Sequence, residues 1–206
     1  MDALIVVDVQ NDFCPGGALA VPDGHLVVPV INRLISIFPL VVATQDWHPA
    51  DHKSFAVNHP GRQPGDVVEL AGGPQILWPV HCVQETKGAE FHPDLDRTAI
   101  QAVFRKGTDP EVDSYSGFFD NARKHETGLH AFLQHHGVKR LFVCGLATDY
   151  YVKFTCLDGK SLGYDVFVIE DASRGVDLHP GDVARSLSEM KAAGIVMISS
   201  DGIRDL

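Results

Sequence analysis

The segment Gln45-Asp46-Trp47-His48-Pro49-Ala50-Asp51-His52 carries an aspartate and two histidines within a few residues, and a further histidine follows in Trp78-Pro79-Val80-His81-Cys82. Asp46, His48, His52 and His81 together offer one carboxylate and three imidazoles. That donor set suits Zn, Mn, Fe, Co or Ni and does not choose among them. Asp51 is an alternative carboxylate. With 11 histidines in the chain, chance clustering competes with a metal site, and the other histidines are read as solvated or hydrogen-bonded.

Three more candidates lie just beyond apolar runs of strand length. Asp8 follows Ala3–Val7, Lys106 follows Ala99–Phe104, and Gly145-Leu146-Ala147-Thr148-Asp149-Tyr150-Tyr151 follows Leu141–Cys144 and leads into a helical pattern. Asp46 itself comes after the run Leu40–Ala43. The Gly145–Tyr151 turn points backbone N–H groups at the strand ends, where they could hold an anion. Its plainer reading is a crossover turn capped by Thr148 or Asp149. Any one of these groups alone reads as a solvated charge or a cap. Several at one end of neighbouring strands would share a rim, and in an open parallel sheet ligands bind beyond the carboxyl ends of the strands.

The elements that would build such a rim are legible as alternation. Further apolar runs lie at Val166–Ile169 and Ile195–Ile198, and continuous apolar runs are what strands covered on both faces look like. Between them lie helical patterns at Leu26–Phe38, Leu129–His136, Val152–Leu162, and Val183, Leu187 and Met190 ending at Gly194. The expectation is an α/β, doubly wound, mostly parallel six-stranded sheet with helices on both faces. Pro29 and Gly159 sit inside two of the helical patterns and leave their ends open. The stretch 47–97 is rich in Pro, Gly and His, has no sustained period, and reads as a long functional loop region. No repeat or linker divides the chain, so residues 1–206 are expected to form one domain.

Composition narrows the function classes. The chain has 206 residues, 45% of them hydrophobic and 21% charged, enough for a sizeable core. Its formal charge of -10 repels phosphate backbones and anionic lipid, so no nucleic-acid or membrane partner is expected. No apolar run nears the roughly 20 residues a membrane span needs, and the N-terminal MDALIVVDVQND lacks the charge and length of an export signal, which points to a cytoplasmic protein. Cys14, Cys82, Cys144 and Cys156 are widely spaced and read as reduced thiols.

With these residues in hand, the chain resembles the nicotinamidase (pyrazinamidase) branch of the isochorismatase-like cysteine hydrolases over nearly its whole length. The carriers are Val7-Asp8-Val9-Gln10-Asn11-Asp12-Phe13, Asp46-Trp47-His48 with His52, Trp78-Pro79-Val80-His81-Cys82, Phe104-Arg105-Lys106-Gly107, Asp113-Ser114-Tyr115-Ser116 and Gly145-Leu146-Ala147-Thr148-Asp149. The resemblance implies hydrolysis of nicotinamide to nicotinate and ammonia in NAD salvage, by attack of a cysteine thiolate on the carboxamide carbon. It implies Asp8 as the proton-shuttling carboxylate and Lys106 as the charge that favours the ionised partners. It implies Asp46, His48, His52 and His81 as ligands of one divalent metal, Zn foremost with Fe or Mn as alternatives. Phe13, Trp78, Tyr115 and Leu146 would pack the substrate, and the backbone at Ala147 and at position 151 would hold the oxyanion beside a cis peptide before the alanine. The implied partner is a small pyridine carboxamide, and self-association is left open.

One position departs from the family pattern: Tyr151 stands where the nucleophilic cysteine is expected. A phenol ionises near pH 10 and a thiol near about 8.5, and the ring adds volume where substrate should lie. A neighbouring lysine would act in the other direction by lowering the phenol's pKa. Turnover is therefore expected to be impaired. Cys156, five residues on, faces roughly 140° away on a helix, and Cys14 is the remaining candidate to stand in. Two alternative readings keep the same residues: a metal-dependent pyridine-carboxamide binder without catalysis, and a hydrolase that uses a metal-activated water.

Overall fold

The computed structural model describes residues 1–205. β1 (Asp2–Val7) is apolar from Ala3 onward and buried there. It leads through the long connection 8–26, which includes two 3-10 turns, into α1 (Val27–Ile35), whose Val27, Val28, Ile31, Leu34 and Ile35 form the buried stripe expected of a helix laid on a sheet. Pro29 falls in the first turn of α1, where a missing N–H costs nothing. The helix stops three residues before Phe38 because Pro39 disfavours helical geometry in the residue preceding it.

β2 (Val41–Asp46) is buried throughout. The long region after it contains an antiparallel hairpin, β3 (Val67–Leu70) with β4 (Gly73–Ile76), paired from Val67↔Ile76 to Leu70↔Gly73. β5 is Ala102–Lys106, so this strand begins three residues later than the apolar run predicts. Ala99 and Ile100 lie instead in a turn, closed by the Ile100 N–H donating to the Arg97 carbonyl at 3.2 Å. Consequently Lys106, like Asp46, is the last residue of its strand and not the one after it.

The second half alternates regularly: α2 (Leu129–His135), β6 (Arg140–Leu146), α3 (Lys153–Ser161), β7 (Asp165–Arg174), α4 (Asp182–Ala192) and β8 (Val196–Ile198). Gly159 is accommodated within α3 because the helix crosses β6 closely there: a Cβ at this position would lie 3.0 Å from the Leu141 side chain. β1, β2, β5, β6, β7 and β8 form one six-stranded sheet in the order β5-β2-β1-β6-β7-β8, and every pairing in it is parallel. Among the described residues, no helix is long and apolar enough to cross a membrane.

Candidate active site

The sheet order locates the site. Successive strands run outward from β1 through β2 to β5, then the chain returns to the other side of β1 and continues through β6, β7 and β8. The direction of winding reverses between β1 and β6, and the crevice beyond the carboxyl ends at such a reversal is where ligands bind in doubly wound sheets. Asp8 follows β1, Ala147 follows β6, and Asp46 and Lys106 end β2 and β5 in direct register with each other.

These side chains meet. Lys106 Nζ lies 2.8 Å from Asp8 Oδ2, donates to Asp46 Oδ1, and donates to the Ser114 carbonyl at 3.0 Å. The Asp8 contact is an ion pair without hydrogen-bond alignment. The Thr44 hydroxyl donates to Asp8 Oδ1 at 2.7 Å. Asp8, Asp46 and Lys106 are all buried, so none is held by water and each depends on the others for its charge. Burial pushes the Asp8 carboxyl up to about 6, with Lys106 restraining the rise. Burial acts likewise on Asp46, but Lys106 and His48 outweigh it and hold that carboxyl well below the ordinary range. Burial alone would weaken the Lys106 ammonium; Asp46 and Asp8 reverse this and keep its pKa above the usual value. Asp8 also adopts a left-handed backbone conformation, φ 46°, an uncommon state for a residue with a side chain and one that clusters at functional sites.

The predicted metal ligands converge beside this cluster. His48 Nε2 and His81 Nε2 lie 3.3 and 3.8 Å from Asp46 Oδ2, and the His48 and His52 rings are 4.3 Å apart. His48 Nδ1 faces the Gly107 carbonyl at 2.9 Å and His81 Nδ1 the Pro79 carbonyl at 2.7 Å. A carbonyl only accepts, so both rings carry their proton on Nδ1 and present a bare Nε2. His52 Nδ1 meets the Ser54 hydroxyl at 2.7 Å. Asp46 Oδ2 and the Nε2 atoms of His48, His52 and His81 are buried without a hydrogen-bond partner. Three of these atoms, on Asp46, His48 and His81, come from residues whose ligand atoms lie within 4.8 Å of one another and fit a divalent cation, since buried polar atoms otherwise find partners. Asp51 is exposed and takes no part. His52 does not join the group formed by Asp46, His48 and His81; its ligand atom groups with His48 and Asp113 instead.

Tyr151 lies in the π-helical turn Thr148–Val152 that leads into α3, directly after the cis Leu146–Ala147 peptide. Its ring is buried, with Lys106 Nζ 3.8 Å from its centroid and the Phe13 and Tyr115 rings at 5.4 and 5.9 Å. The ammonium therefore stacks on the face of the ring. Burial, reinforced by the charges of Asp46 and Asp113, holds the phenol well above its ordinary pKa, opposite to the lowering expected from a neighbouring lysine. Phe13, Trp78, Ala147 and Tyr151 line the same cavity, together with Leu19, Val21, Tyr150 and Val176, and it measures only about 10 Å³. Leu146 is not part of that lining; its side chain reaches toward Gly24. The Trp78 indole N–H donates to the Tyr115 hydroxyl at 3.3 Å. Cys14 is buried, and burial raises its thiol to about 11, which makes it a poor stand-in for a nucleophile.

Three residues in this neighbourhood had no role assigned from sequence. Gln10 brackets the backbone of Asp46, donating to its carbonyl and accepting from its N–H, both at 2.8 Å. Asp12 accepts from the Cys82 N–H at 2.7 Å, the residue after His81. Their alternation with Asp8 was the available signal. Asp113 is the third; it opens the Asp113-Ser114-Tyr115-Ser116 run that carries the family resemblance, but that run gave it no ligand role.

Comparison with known proteins shows the family and the fold. The profile of the isochorismatase domain matches residues 2–202. A nicotinamidase of Escherichia coli (strain K12) is 54% identical over 199 residues, 95% of this chain and 93% of that one. A solved nicotinamidase/pyrazinamidase from Acinetobacter baumannii superposes with a TM-score of 0.95 at 47% identity, covering 98% of this chain and 97% of its own. A pyrazinamidase of Pyrococcus horikoshii, solved in complex with zinc, is 42% identical with a TM-score of 0.78, covering 96% of this chain and 98% of its own.

Proposed function

The chain belongs to the isochorismatase domain family, and on that premise we propose that it is an amide hydrolase of nicotinamidase type, acting on nicotinamide to give nicotinate and ammonia, with turnover depressed by Tyr151. The observation that carries this reading is the convergence of the Asp8–Lys106 pair with the orphaned donor atoms of Asp46, His48 and His81 beyond the carboxyl ends of the strands. The reaction belongs to NAD salvage. Four unpaired, buried cysteines support a reducing, cytoplasmic setting.

The roles follow from position. Asp8, with a carboxyl pKa near 6, is ionised at neutral pH yet basic enough to take a proton from a nucleophile at position 151 and pass it to the departing amine. Lys106 keeps that carboxylate charged and stabilises negative charge developing beside it. Backbone N–H groups at Ala147 and position 151, at the entrance to α3, would receive the carboxamide oxygen. Asp46, His48, His52 and His81 would hold a divalent cation, with zinc the leading candidate, which supplies an electrophile for the pyridine nitrogen. Phe13 and Trp78 would sandwich the ring.

Tyr151 obstructs this scheme in two ways. A phenol held well above its ordinary pKa is not a nucleophile at neutral pH. In addition, the ring occupies the slot: the remaining cavity of about 10 Å³ has room for one water at most. A filled slot also counts against a protein that binds pyridine carboxamides without cleaving them.

The test is ammonia release from nicotinamide by the zinc-loaded chain and its Tyr151→Cys variant. The variant is expected to exceed the parent by at least about a hundredfold, since loss of a nucleophile commonly costs more than that. No gain would overturn the assignment of position 151.

A further inference from the structure

Asp113 lies outside every motif role assigned above, yet it is buried in the same pocket. Its carboxylate accepts from the Ser114 N–H at 2.8 Å and from the Gln75 side-chain amide at 3.0 Å, and each oxygen keeps a lone pair free. The ligand atoms of His48, His52 and Asp113 all lie within 4.8 Å of one another. Both imidazole Nε2 atoms in that group are buried and unpartnered.

Charge points the same way. Asp8, Asp46 and Asp113 are buried carboxylates, and Lys106 is the buried ammonium among them. The imidazoles of His48 and His81 add nothing when their Nε2 lone pairs face inward, and neither does a neutral His52, whose Nδ1 accepts from the Ser54 N–H at 3.2 Å. Three negative charges against one positive leave an excess of two, and buried charge persists only when compensated. A divalent cation closes the balance.

We propose that Asp113 is part of the metal centre: with His48 and His52 it holds the divalent cation, directly or through one bound water, as the second carboxylate beside Asp46. This rests on the reading of Asp46, His48, His52 and His81 as a metal site. Asp113 thereby gives His52 a place in the centre that the Asp46 group does not provide.

Zinc affinity of the full-length chain tests it. Metal-stripped protein, with its fold checked by circular dichroism, is titrated with zinc against a competing chromophoric chelator. Asp113→Asn keeps the size of the side chain and removes its charge. It is expected to weaken zinc binding about 10- to 100-fold, the usual cost of losing a carboxylate at or next to a metal's ligands. Gln75→Leu takes away one hydrogen bond to Asp113, together with those to the Tyr115 hydroxyl and the Ile76 carbonyl, but leaves the Asp113 charge in place, and is expected to cost less zinc affinity than Asp113→Asn does. Parent-like affinity in Asp113→Asn overturns the proposal, and so does an equal loss in Gln75→Leu. Should Asp113→Asn fail to fold, a crystal structure of the zinc-loaded parent decides: an ion linked to Asp113 directly or through a single water supports the proposal, and an ion without that link overturns it. A parent that holds no zinc brings down the metal-site reading as a whole, whereas zinc held equally by parent and Asp113→Asn brings down this inference alone.

Discussion

Tyr151 combines two obstacles that can be separated. One is chemical, a neutral phenol in place of a thiol; the other is steric, an aromatic ring packed between Lys106, Phe13 and Tyr115. Tyr151→Gly removes the ring and supplies no nucleophile. It is expected to bind nicotinamide measurably by titration calorimetry while releasing no ammonia, whereas the parent gives no binding heat. If the parent bound nicotinamide as tightly as the variant, the slot could not be filled as described. The deletion has a cost, because removing a buried aromatic side chain typically destabilises by about 3–5 kcal/mol, and the Lys106 ammonium loses its contact with the ring face. The binding measurement therefore belongs at a temperature where the variant's circular dichroism still matches the parent's.

At the scale of elements, the site is a product of strand ends and of the loops that fold back over them. Gly107 shows how tight that fit is. It follows β5 with φ 65°, and a Cβ there would lie 2.3 Å from His48 Cε1. Gly107→Ala is thus expected to lower the stability of the metal-free protein by about 2 kcal/mol or more, from backbone strain plus steric overlap, and to weaken zinc binding by displacing the His48 ring. A melting curve superimposable on the parent's would refute it. The same geometry explains what could be read beforehand. β1 and β6 were legible because both of their faces are covered, which makes their residues continuously apolar. Asp8, Asp46 and Lys106 were legible because they close apolar runs. The β3–β4 hairpin was not, since its strands are only four residues long and apolar Val67 shares the exposed face with Glu69, so the alternation in burial is not matched by one in hydropathy. Ala99 and Ile100 misled because apolar residues can also cover a turn. Asp113 was legible as part of the Asp113-Ser114-Tyr115-Ser116 run but not as a neighbour of His48 and His52, because that nearness depends on how the segment after β5 folds back.

Over the whole molecule, the proposed metal ligands come from two stretches of the chain, 46–52 and His81. Asp46 ends β2, His48 and His52 lie in the loop after it, His81 follows the hairpin, and Lys106, paired with Asp46, ends β5. A cation at this point links the end of the sheet to the long segment that replaces a crossover helix between β2 and β5. Its removal is therefore felt as a loss of global stability. In the metal-free chain, Asp46 Oδ2 and three imidazole nitrogens stay buried without partners, each an unfavourable contribution that the bound ion cancels. By mass action, zinc at a hundred times its dissociation constant stabilises the folded state by about 2.7 kcal/mol. For a chain of this length that corresponds to a rise in Tm of roughly 5–10 °C. Scanning calorimetry with zinc and then with excess chelator should show this difference in the parent, in Tyr151→Cys and in Tyr151→Gly alike, because residue 151 contributes no ligand. An unchanged Tm on chelation in all three would show that the folded chain does not hold zinc in preference to the unfolded one, and would overturn the metal site.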